Sequence, residues 1–110
     1  MNNKLSVFLP WISLSGKDLR NRVKNTLEKA GMEVFPKIEE PENEEQFFTE
    51  VRNALSSCEC TLVILTDSYG QTISTDFTTS WVRYQYQQAR DLLNTGGVMR
   101  KLFVWYPPAL

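Results

Sequence analysis

Four short apolar runs separated by three helix-like stretches constrain this chain more than any single residue does. The runs are Leu5-Ser6-Val7-Phe8-Leu9, Met32-Glu33-Val34-Phe35, Thr61-Leu62-Val63-Ile64-Leu65 and Leu102-Phe103-Val104-Trp105. Strands alternating with helical patterns of a dozen or more residues imply right-handed βαβ crossovers and a parallel sheet. The third run is the most continuously apolar, as expected of a strand buried on both faces, so it is predicted to be central. Ligands of such sheets sit outside the carboxyl ends of the strands, where the connection order reverses.

The remaining limits come from length and charge. A chain of 110 residues forms one domain and buries roughly two-thirds of its unfolded surface. Twelve basic against thirteen acidic residues give a net charge of −1, which provides no global field for nucleic acid or an anionic membrane. No apolar stretch approaches the ~20 residues of a membrane span. The start, Met1-Asn2-Asn3-Lys4, lacks the apolar segment of a signal peptide, and a cytoplasmic location is the expectation. Cys58 and Cys60 are too close for an unstrained bridge and are expected as free, buried thiols. With no histidine and no second cysteine pair, the chain offers no tetrahedral metal site.

Punctuation places the helices. Ser15 and Asp18 form a capping-box pattern ahead of a stripe at Leu19, Val23, Leu27 and Ala30, and Gly31 is the stop signal. The segment from Pro36 to Asn43 is a connection, its two prolines opposing helix and central strand. Asn43 is predicted to cap a second helix whose stripe is Phe48, Val51, Leu55 and Cys58, widened by Phe47 and Ala54. A long polar connection starts at Thr66 and leads through Asp76 and further serines and threonines to Ser80. A third helix then runs from Trp81 to about Leu93 and ends at Asn94-Thr95-Gly96-Gly97.

Trp11, Ser13, Asp67, Tyr69, Ser80, Trp81 and Gln85 all fall in connections or helix starts above the carboxyl ends of the predicted strands. Aromatic plates, hydroxyls and an amide in one crevice suit a nucleotide-like ligand, with helix N-termini adding partial positive charge for a phosphate. A competing structural reading makes Trp81 a packing residue and Ser80 a helix cap. Several chemistries are excluded outright. The absence of histidine removes Ser-His-Asp and Cys-His centres, and neither Gly-x-Gly-x-x-Gly after the first strand nor Gly-Lys-Ser/Thr is present. Leu9, Pro10 and Trp11 stand where a phospho-acceptor domain would hold an acidic pair.

From Leu5 to Pro107 the chain resembles the TIR domain superfamily, and more closely its divergent bacterial members in defence and signalling proteins. The resemblance rests on the order of several motifs. They are Ser13-Leu14-Ser15-Gly16-Lys17-Asp18-Leu19-Arg20, Gly31-Met32-Glu33-Val34-Phe35-Pro36, Ala54-Leu55-Ser56-Ser57-Cys58, Tyr69-Gly70, Ser80-Trp81 with Gln85 and Ala89, and Val104-Trp105-Tyr106-Pro107-Pro108. It implies a flavodoxin-like, three-layer αβα fold with a four-stranded parallel sheet in the order 2-1-3-4. Catalytic TIR domains, by the same resemblance, cleave the nicotinamide–ribose bond of NAD with a glutamate four residues after the tryptophan of this helix start. Here that candidate catalytic position is Gln85, and a neutral amide forgoes the charge stabilisation of glycosidic cleavage, worth on the order of a hundredfold in rate. TIR domains also carry a further helix and strand, so residues 1–110 read as one shortened domain.

The expected function is a signalling or defence module that works by self-association or by assembly with other TIR-like domains. The Pro36–Asn43 connection resembles the partner-binding loop of TIR domains, and NAD or a related nucleotide is the implied ligand. The alternative is an NAD glycohydrolase or a related nucleoside N-glycosidic hydrolase or transferase.

Overall fold

The computed structural model describes residues 4–12, 17–64, 72–73 and 76–105. Its elements run β1 (Ser6–Phe8), α1 (Lys17–Lys29), β2 (Glu33–Phe35), α2 (Glu44–Ser57), β3 (Cys60–Ile64), β4 (Thr72–Ile73), β5 (Asp76–Ser80), α3 (Trp81–Thr95) and β6 (Lys101–Trp105). The four predicted apolar runs are β1, β2, β3 and β6. They form one parallel sheet in the order β2-β1-β3-β6, the predicted 2-1-3-4 arrangement. Val7 pairs with Val34 on one side and with Cys60 on the other, and β6 pairs along the whole of β3 from Cys60↔Lys101 to Ile64↔Trp105.

Direction reverses after β2, so right-handed crossovers put α1 and α2 on opposite faces. The core divides accordingly. On one side Leu19, Val23 and Leu27 of α1 pack on Leu9, Val34, Val63 and Ile64. On the other, Phe47, Val51, Ala54 and Leu55 of α2 gather with Phe8, Trp11, Cys58 and Ala89. Phe47, with no exposed surface, is the centre of the α2 stripe, while Phe48 is only half-buried beside it. Helix α3 reaches both clusters, through Val82 and through Ala89. Both cysteines are free and buried, and burial pushes the Cys58 thiol up to about 12.

Helix ends follow their residues. Asn43 accepts from the Gln46 N–H at 2.8 Å, and Ser80 accepts from the Arg83 N–H at 3.1 Å. Gly31, at φ +91°, lets the Met32 N–H return to the Leu27 carbonyl and its own N–H to that of Glu28. That six-residue closure ends α1 at Lys29, so Ala30 lies beyond the helix and is exposed rather than on the stripe. Ser15, the predicted cap, lies outside the described residues.

Two features differ from the expected pattern. The long polar connection contains an antiparallel pair, β4 with β5, in which Thr72 faces Ser80. Three of its seven residues are threonines, which carry strand propensity without an apolar run to announce it. The second feature is the edge strand β6, where Phe103, Val104 and Trp105 are 53 %, 41 % and 38 % exposed. Among the described residues, no helix is long and apolar enough to cross a membrane.

Candidate functional site

The chain leaves β1 as Leu9-Pro10-Trp11-Ile12, and all four residues are buried. An irregular segment buried at a sheet end needs partners for its backbone groups. Gln85, one turn into α3 and with no exposed surface, supplies them. Its Oε1 accepts from the Trp11 N–H at 2.9 Å, and its Nε2 donates to the Trp11 carbonyl at 3.0 Å. The same Nε2 donates to the Trp81 carbonyl, also at 3.0 Å. Both amide hydrogens and one oxygen lone pair are therefore committed to backbone. The donor and acceptor facing it from Trp11 fix which end of the amide is which.

The predicted aromatic plates meet around Phe47. Trp81 stacks on it at 4.7 Å between centroids with 24° between planes, and Trp11 lies tilted against it at 5.8 Å. Trp11 is 3 % exposed, and its indole N–H points to the Ile38 carbonyl at 3.4 Å. The Trp11 ring is thus a core ring, and Trp81 is half-buried beside it. Ser80 is buried and its hydroxyl caps α3. The structure brings together Trp11, Ser80, Trp81 and Gln85; Ser13, Asp67 and Tyr69 lie outside the described residues.

Arg20 belongs to this site, although the sequence reading placed it only within a motif. It is 1 % exposed, with Nε donating to the Leu9 carbonyl at 3.0 Å and Nη2 to the Pro36 carbonyl at 3.2 Å. Its guanidinium also lies 5.8 Å from the Trp11 ring centroid. Among the described residues Nη1 has no hydrogen-bond partner and no carboxylate pairs with this cation. Burial alone draws the guanidinium down to about 10. The signal for its burial was available: Arg20, Val23 and Leu27 share the i, i+3, i+7 spacing of a buried stripe.

Arg20 and Trp81 line a small cavity with Trp11, Ile12, Lys17, Glu39, Glu40 and Pro41. Its free space is about 10 Å³, roughly one water. Trp81 Nε1 is also buried with no partner among the described residues. Lys17 Nζ lies 3.3 Å from Glu39 and 3.6 Å from Glu40, and these neighbours, Glu39 foremost, hold its ammonium above the ordinary range. Among the described residues, no group of three or more cysteine, aspartate or glutamate side chains is placed to hold a metal.

The arrangement binds and orients backbone, and the buried Gln85 amide is bonded to the Trp11 and Trp81 main chain. Comparison with known proteins is consistent with the fold. A family model described as the TIR domain matches residues 11–104. No curated protein and no solved structure matches the chain. The matched span starts at the clamped Trp11, just past β1, takes in the three helices with β2 and β3, and reaches Val104 in the edge strand. This chain belongs to the TIR domain family.

Proposed function

We propose that this TIR domain is a signalling or defence module that works by assembling with other TIR domains, its own copies included, rather than by cleaving NAD. The observation that carries the reading is the open β6 edge. Phe103, Val104 and Trp105 are all more than a third exposed on a strand that, among the described residues, pairs with β3 alone. An exposed apolar edge presents unpaired backbone N–H and carbonyl groups alongside apolar side chains, which is a template for another chain. Gln85 adds support. In the resemblance to catalytic TIR domains its position belongs to a glutamate, whereas here an amide is tied to Trp11 and Trp81. A carboxylate that must steady a developing positive sugar has to face the substrate.

The test is analytical ultracentrifugation of the 110-residue chain beside a Phe103→Lys variant, with nicotinamide release from NAD measured on both. Concentration-dependent association of the parent, lost in the variant, with no nicotinamide above background, is the expected outcome. A monomer at every concentration removes the self-assembly reading. Nicotinamide release would overturn the non-catalytic one.

A further inference from the structure

Helices α2 and α3 lie side by side on one face of the sheet, each returning the chain between parallel strands. They touch near their starts, where the Phe48 and Tyr84 rings meet edge-on with centroids 5.2 Å apart. Beyond that contact they leave a cavity of about 450 Å³ between them, within the size range of small-molecule sites. Val51 and Leu55, four residues apart on α2, form its apolar wall together with Leu92 of α3. Gly97 and Val98 line it where the chain leaves α3. No atom lies within 4 Å of the place a Gly97 Cβ would take, and Val98 is 48 % exposed, so neither fills the space.

The polar part of the lining is small and one-sided. Ser56 is already committed, its hydroxyl donating to the Asn53 carbonyl at 2.9 Å. Gln88, midway between Tyr84 and Leu92 on the same stripe of α3, adds an amide. Arg52 is the one charged residue among the described lining, and among the described residues no carboxylate pairs with it. We propose that this groove binds a medium-chain aliphatic carboxylate, its chain along Val51, Leu55, Leu92 and Val98 and its head at Arg52. An apolar wall beside one uncompensated cation favours an amphiphile with a single negative charge over a neutral or cationic one. The site stands apart from the assembly reading, because none of its lining residues belongs to β6.

The experiment titrates sodium octanoate into the 110-residue chain and follows the Gly97 and Val98 amide resonances, with 1-octanol as the uncharged control. Saturable shifts confined to the groove are expected. From butyrate through hexanoate to octanoate, binding tightens by up to about fourfold per methylene. Octanoate binds about fivefold more tightly than octanol. Arg52→Met keeps an apolar stem and removes the charge, which abolishes that preference and leaves octanol binding unchanged. Four results overturn the proposal. No saturable shift at Gly97 and Val98 means that the groove takes no such ligand. Octanol binding as tightly as octanoate, or an Arg52→Met variant that keeps the preference, removes the cation from the site. Shifts of the same amides on raising the protein concentration alone mean that a second copy covers the groove. An acidic amphipathic peptide that binds there where octanoate does not makes the occupant a protein.

Discussion

This small domain buries polar groups at one place and exposes apolar ones at another, and the two places invert the usual rule in opposite senses. Where β1 ends, Gln85 and Arg20 lie fully inside, between Trp11, Trp81 and the last carbonyls of the strands. Along β6, Phe103 and Trp105 stand in solvent. A buried amide or an exposed aromatic patch is more informative than any number of buried leucines. The contrast assigns different work to each end. At the strand ends, side-chain polarity is spent on holding the fold's own backbone. At the edge, apolar area is left uncovered, and covering it takes something beyond the described residues.

The strongest way to break the contrast is Gln85→Glu, which swaps a donor-and-acceptor for an acceptor. The carbonyls of Trp11 and Trp81 would then face a carboxylate, and a buried charge would have no partner. A loss of about 3–5 kcal/mol at neutral pH is expected in urea denaturation followed by circular dichroism. Burial and the facing carbonyls hold the introduced carboxyl above its ordinary ~4.3, so the folded variant binds that proton more tightly than the unfolded chain does. The variant is thus closest to its parent below about pH 4 and loses ground as pH rises through the folded-state value. Equal stability of the two at pH 7 would mean that the clamp is not tied.

A smaller effect sharpens the same region. Ser80→Ala removes the cap that starts α3 just before the Trp81 carbonyl, at a cost of about 1 kcal/mol, or roughly 5 °C in Tm by calorimetry. The smallest belongs to the edge. Phe103→Lys changes the stability of the monomer by less than about 0.5 kcal/mol, since the ring is already more than half in water. A large destabilisation there would show that the β6 edge holds the domain together and is not a free surface.

The fold was legible because apolar runs and helix caps are local. Four runs became the four strands of the sheet in the expected order, and Asn43, Ser80 and Gly31 act where their residue types predict. The β4–β5 pair was hidden by its threonines, whose strand preference leaves no apolar trace. At the site, the sequence reading names Trp11, Ser80, Trp81 and Gln85 for one crevice, and the structure brings these four together with hydrogen bonds and ring contacts that run into the core. Arg20 was missed because a charged residue on a helix is ordinarily solvated, and only its alignment with Val23 and Leu27 marks it as internal.

The bonds between Trp11 and Gln85 span 74 positions of sequence. A link of that reach closes a loop containing β2, α2 and β3, and the entropy of closure is spent before the bonds return anything. The Trp11 backbone groups at the exit from the first strand are therefore paired with Gln85 only when α3 is docked, so a change that loosens α3 also frees that exit.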